Sequence, residues 1–233
     1  MVTVHAYIVH KLSSTDRCEQ QRRGYSAGRE RIMKEELIDR IINEEWKQFD
    51  KVNNEGGRAG CQDNWTEFRI MRKSQFDNWN EAMLESYCRD VTEAAQKGWN
   101  LLTEKYARMM ESTDPAGYAR LKDQLPERSP ERLKEQDEVV EIQVGWMEAL
   151  AKKYPKVAGN ARSIRSESDS RYNTSYETYL RGELSTYSDE TFHLYRDYIL
   201  DLQKKGENLA MDVIARSANM YGYRDLDEAE KNQ

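Results

Sequence analysis

The sequence predicts an all-α fold, a compact irregular helical bundle of about seven to nine helices in a single domain, and three observations carry that prediction. The 233 residues include only 12 Gly and 4 Pro, too few for the frequent turns of a β-sandwich. Apolar residues recur at three- and four-residue steps over long stretches, the period of helices that bury one face. Asp114-Pro115 and Ser129-Pro130 each set a capping side chain before a proline, the arrangement that opens a helix. Hydrophobic residues make up 38% of the chain and charged residues 33%, with 14 Tyr and 5 Trp. That content is too apolar and aromatic for a disordered protein.

Residues 1–32 lack helical period and read as a poorly ordered extension, with Met33 as a natural beginning and an over-long gene start upstream of it. Residues 33–233 are then the single helical domain. Leu37, Ile38, Ile41, Ile42, Trp46 and Phe49 mark an amphipathic helix over Lys34 to Asp50. The pattern from Trp65 to Met109 is helical throughout. As one rod it would span roughly 70 Å, so it must break, near Ser74 to Asn78 or at Gly98. Ser129 opens a helix whose inward side chains are expected to be Leu133, Val140, Gln143, Met147 and Leu150, widened by Val139, Ile142 and Trp146 and stopped before Pro155. A loop from Lys156 to Asn173 follows, long enough to suggest a functional or mobile segment. Thr174 and Glu177 have capping-box spacing for the next helix. Ser188 and Gly206 bracket another, Leu209 to Met220 ends at Gly222, and Asp225 with Glu228 caps a short last helix.

The net charge of −6 argues against general nucleic-acid binding, which needs a basic face. Cys18, Cys61 and Cys88 form no CxxC or regular spacing, so neither a disulfide framework nor a cysteine zinc site is indicated, and a reducing cytoplasm fits best. No apolar run approaches the ~20 residues of a membrane span.

The informative residues are charges that fall where the helical period calls for an apolar side chain. Glu45 lies on the face of Ile38, Ile41, Ile42 and Phe49, Arg72 lies between Phe68 and Phe76, and Glu183 between Leu180 and Tyr187. Buried charge is costly unless paired. Two readings follow: a structural ion-pair network, or a site where the carboxylates act as acid and base, or hold a cation, while Arg72 binds an anionic group. Cys61 sits near a helix start and is a candidate nucleophile, although no histidine neighbours it in sequence. Glu190 and His193 have the E-x-x-H spacing of a di-iron helix, but the chain holds only three histidines and no second copy. Gly56-Gly57-Arg58 matches neither a P-loop nor a dinucleotide fingerprint. Arg162, Arg165, Arg171 and Arg181 offer bidentate contacts to phosphate or carboxylate, against the plainer reading of a solvated basic loop with Glu177 and Arg181 paired at i and i+4.

NNEGGRAGCQDNWTEFRIMRKSQF, YARMMESTDP and TSYETYLRGELSTYS resemble the bacterial domain-of-unknown-function family four-one-two-five, and the resemblance covers nearly all of Met33 to Glu230. It implies an uncharacterised helical protein. Some family members are joined to a nucleotidyltransferase-like domain, which by association suggests nucleotide or small-metabolite chemistry. The family pattern carries over to Asn53, Glu55, Gly56, Gly57, Cys61, Gln62, Arg72, Gln75, Glu177, Tyr179, Arg181, Gly182, Glu183 and Tyr187, and His193 is not part of it.

The resulting expectation is a cytoplasmic protein that binds a small polar or anionic molecule in a charged pocket between the 53–75 and 173–187 segments. Arg72 and Arg181 would anchor the anion, with Asn53, Glu55, Gln62, Gln75, Glu177, Tyr179 and Tyr187 around the ligand and Glu45, Glu183 or Cys61 for any chemistry. No metal site and no identifiable cofactor enter this reading. The first alternative is a non-enzymatic module for a protein partner, its buried charges structural; the second is a metal-carboxylate enzyme using Glu45, Glu183, Glu190 and His193.

Overall fold

Side-chain caps decide where these helices start. In the computed structural model, which describes residues 14–53, 57–159 and 161–233 and side chains from residue 31 onward, the long periodic stretch divides into α2 (Trp65–Phe76), α3 (Glu81–Gln96) and α4 (Leu101–Thr113). Asn80 and Asn100 accept hydrogen bonds from the Met83 and Thr103 amides, and Gly98 adopts φ +69° between them. Each cap satisfies an amide that an uninterrupted helix would satisfy internally, so the chain turns at both expected breaks for about 1 kcal/mol of capping energy apiece.

The same device opens α5 (Pro115–Leu121) from Asp114, α6 (Pro130–Lys153) from Ser129, α9 (Asp189–Lys205) from Ser188, α10 (Leu209–Met220) from Asn208 and α11 (Leu226–Lys231) from Asp225. Gly206 at φ +70° closes α9 in the left-handed conformation that glycine adopts without strain. With α1 (Ser14–Phe49), α7 (Pro155–Gly159) and α8 (Tyr176–Leu184) there are eleven helices and no named strand among the described residues, nine helices having seven residues or more. The fold is all-α, as the sequence predicts.

Several details differ from the sequence reading. α1 starts at Ser14 rather than Lys34, so residues 14–32 are helical backbone; residues 1–13 lie outside the described residues. The chain divides into two compact units, Met1–Glu36 and Leu37–Gln233. Leu133 is exposed and Arg132 takes the inward position, because Arg132, Gln136, Val139 and Gln143 share the buried stripe of α6. Ser175, not Thr174, caps α8, accepting from the Thr178 amide. The 156–173 connection contains α7 and is pinned to the fold: Asp169 accepts hydrogen bonds from the Ser175 amide and from the Ser112 and Thr178 hydroxyls.

Within Leu37–Gln233 the nine-residue helix α8 occupies a central position, packed against α4 on one side and α6 on another, while α9 packs on α3 and α6 and α10 on α2 and α6. Gly182 allows the α4 approach. A Cβ there would lie 2.9 Å from Met109 Cγ and 3.0 Å from the Lys105 carbonyl oxygen. Trp79, Phe76, Tyr87, Tyr187 and Tyr195 form the aromatic centre of the core, with ring centroids 5.0–6.0 Å apart. Two helical faces of α8 therefore meet different surroundings.

Candidate functional site

The inner face of α8 carries Glu183, and the three charges singled out by helical period meet around it. Arg72 grips Glu45 with two parallel hydrogen bonds, Nε to Oε2 at 2.7 Å and Nη2 to Oε1 at 2.6 Å. Its Nη1 donates to Glu183 Oε1 at 2.9 Å and to Gln75 Oε1 at 2.8 Å. Gln75 Nε2 and the Tyr187 hydroxyl also donate to Glu183 Oε1, and the Tyr87 hydroxyl donates to Glu45 Oε1 at 2.7 Å. A fourth charge completes the set: Lys105 Nζ lies 3.0 Å from Glu183 Oε2 and donates to the Tyr179 hydroxyl.

Two carboxylates thus face two cations, and every carboxylate oxygen accepts at least one hydrogen bond. All four residues are buried, Glu45 at 1% exposure and Lys105 at 3%. Burial alone would raise the Glu183 pKa, but Arg72 and Lys105 override it and hold the carboxyl well below the ordinary range. Burial would lower Arg72 and Lys105, and their carboxylate partners hold both above ordinary values. Burial, reinforced by neighbouring carboxylates, pushes the Tyr87 and Tyr187 phenols up. All these shifts keep Glu183, Arg72 and Lys105 charged and Tyr87 and Tyr187 protonated near neutral pH.

The remaining predicted residues divide. Gln62 is buried and uses its amide to tie the chain: Nε2 donates to the Phe49 and Val52 carbonyls, and Oε1 accepts from the Ala59 amide. It holds the turn after α1 closed, a backbone role in place of the expected ligand contact. Asn53 and Cys61 are exposed, and Glu55 lies outside the described residues. Arg58 fixes the same turn through Asp50 and Asp63 at 2.6 and 2.9 Å. Tyr179 is half-buried, with the Arg162 guanidinium 4.9 Å from its ring centroid.

Arg181 and Arg72 were expected to grip one anion together, and the structure separates them. Residues 181 and 183 project about 200° apart around a helix. Arg181 therefore leaves the face of Glu183 and pairs with Asp137 and with Glu177, the latter at 3.2 Å. Glu177 accepts in addition from the Ser166 amide. Arg165 is bound by Glu141 and Glu148. Glu190 pairs with Arg89 at 2.6 Å and His193 faces Glu135 at 3.4 Å. Among the described residues no group of three or more His, Cys, Asp or Glu is arranged to hold a metal ion.

The outer face of α8 borders a cleft of about 910 Å³, walled by Glu177, Thr178, Arg181 and Ser185 on one side. Across it stand Arg108 and Ser112 of α4, Tyr118 of α5, the 122–128 connection, and Leu133, Gln136 and Asp137 of α6. The floor is rigid. Gln136 donates to the Arg181 carbonyl and the Ser185 hydroxyl, Arg132 Nη2 donates to the Leu184 carbonyl, and Arg128 Nε donates to the Ser185 carbonyl at 2.9 Å. The sequence reading does not single out Arg108 or Arg128, because neither breaks an apolar period.

Fold and geometry define an all-helical protein with a closed internal ion network and an open polar cleft beside it. The family model described as "Protein of unknown function (DUF4125)" matches residues 35–231, and the chain belongs to that family. No curated protein and no solved structure matches it. No helix among the described residues is long and apolar enough to cross a membrane.

Proposed function

We propose that this chain binds a small polar molecule in the cleft along the outer face of α8. The cleft is the single observation that carries the reading: it measures about 910 Å³ and is lined by charged, hydroxyl and amide side chains. That volume is in the range of small-molecule sites. One wall belongs to the 173–187 segment and the other to the α4–α6 face, whereas the sequence reading sets the 53–75 segment opposite 173–187. Glu45, Arg72 and Glu183 act in this reading as the support that fixes α8, because their hydrogen-bonding groups are directed at one another. Rigid support of this kind holds a site in its binding geometry.

The test is a thermal-shift screen of the full chain against nucleotides, sugar phosphates, amino acids and divalent metals, repeated on Leu133→Trp. Leu133 lines the cleft and is 43% exposed, so an indole there narrows the cleft while sparing the core. A compound at 100-fold its dissociation constant adds about 2.7 kcal/mol of apparent stability. The expected result is a class of hits that Leu133→Trp abolishes. Hits that survive in Leu133→Trp would place binding elsewhere.

A further inference from the structure

We infer that the group anchoring the bound molecule is an oxyanion, a phosphate or carboxylate, received by the terminal guanidinium nitrogens of Arg128 at the corner of the cleft shared with Arg108. This rests on the cleft reading above and names its ligand chemistry. Arg128 is half-buried, and its Nε is committed to the Ser185 carbonyl, which fixes the plane of the guanidinium. Its two terminal nitrogens have no hydrogen-bond or ion-pair partner among the described residues. A positioned arginine fork with vacant donors matches two oxygens of a carboxylate or phosphate.

The surrounding charge favours the same occupant. Arg108 is balanced by Glu104 at 2.7 Å. Arg132 is 4% exposed, lies with its guanidinium 3.1 Å from the Phe192 ring centroid, and among the described residues forms an ion pair with the solvent-exposed Asp189 at 3.5 Å. Arg128 has no carboxylate within ion-pair distance among the described residues, and Glu111, Asp123 and Glu127, which share the cleft, are exposed to water. The N-terminus of α6, a 24-residue helix, begins two residues after Arg128 and adds positive potential.

The titration behaviour agrees. Burial lowers the Arg128 pKa, and Arg108 adds to this against the opposing pull of Glu104, Asp189 and Asp90, while burial and the nearby Arg128 push Arg132 down to about 10. An oxyanion between Arg128 and Arg108 would relieve both. It adds a counter-charge within reach of the terminal nitrogens, which Glu104, Asp189 and Asp90 do not pair with.

The experiment titrates inorganic phosphate, acetate and glucose into the full chain, following the arginine Nε–H signals by NMR and affinity by calorimetry. Arg128→Gln and Leu133→Trp are measured alongside. The expected result is that phosphate or acetate shifts the Arg128 signal and that Arg128→Gln weakens binding at least about tenfold, the scale of losing charged hydrogen bonds. Glucose leaves the signal in place. The NMR arm uses the wild-type chain, so a poorly folded Arg128→Gln does not remove the test. Unmoved Arg128 signals, with neutral compounds from the screen bound and lost in Leu133→Trp, would overturn the oxyanion anchor and leave the cleft reading standing. No binding by anions or by any compound of the screen would overturn both.

Discussion

The inner and outer faces of α8 draw on the same side-chain chemistry and end in opposite states. On the inner face Glu183 meets Arg72 at 2.9 Å and Lys105 at 3.0 Å, and Arg72 closes the circuit through Glu45. On the outer face Arg181 pairs with the exposed Asp137 and the buried Glu177, while Arg128, which lines the cleft, has no partner for its terminal nitrogens among the described residues. The difference is one of access to water. Charges deprived of solvent must neutralise one another within the fold, whereas charges along a cleft remain available to a molecule that arrives later. In the proposed reading, burial of a paired charge marks the scaffold and incomplete pairing at a partly buried position marks the site.

The strongest way to break this contrast is to open the inner network. Arg72→Ala leaves two buried carboxylates without their shared cation, and removing one partner of a buried ion pair costs about 3–5 kcal/mol. Urea denaturation should show a loss of that size; a loss below about 1 kcal/mol, typical of surface pairs, would mean the network is not a structural centre. Gly182→Ala comes next. Its Cβ would press on Met109 Cγ and the Lys105 carbonyl, and overpacking of this kind costs about 1–3 kcal/mol. The same substitution displaces α4, which also carries Arg108 and Ser112 of the cleft, so any cleft ligand should bind less tightly as well.

The pH dependence sharpens the comparison. Glu183 has a folded-state pKa held below the value of about 4.3 in an unfolded chain. Its stabilising contribution is full above that unfolded value and is lost as pH falls further towards the folded pKa. Lys105 is the reverse case, its folded pKa being raised above about 10.4, so its contribution is full below that value and is lost as pH rises towards the folded one. Urea midpoints at pH 7 and pH 3 should differ substantially in the wild-type chain and less in Glu183→Gln. Equal pH sensitivity in the two proteins would remove Glu183 from the acid response.

The fold was legible because helix boundaries in this chain are local events. Asn80, Asn100, Asp114 and Ser129 are written into the sequence beside the amides they cap. The ion network was legible for Glu45, Arg72 and Glu183 because each interrupts an apolar stripe. Lys105 carries the same signal between Leu101 and Met109, and Arg132 carries it at the start of the α6 stripe, so both were open to the same argument. The direction of a surface side chain follows from tertiary packing. Nothing local to Arg128 foretells that its Nε will reach Ser185, 57 residues away. Arg181 differs: the roughly 200° between residues 181 and 183 on a helix already sets it off the face of Glu183, and the choice of Asp137 as its partner is what packing adds.

The smallest effect tests the outer face alone. Arg181→Ala removes the pairs with Asp137 and Glu177, whose side chains and that of Arg181 keep contact with water. Exposed ion pairs contribute roughly 0.2–1 kcal/mol, and the Glu177 carboxylate retains the Ser166 amide. The expected change in urea-derived stability is therefore at most about 1 kcal/mol, several times smaller than for Arg72→Ala. Because Arg181 lines the cleft, its removal should alter ligand affinity more than stability. If instead Arg181→Ala destabilises the chain as much as Arg72→Ala, both faces of α8 are structural, and the cleft loses its claim to be the site.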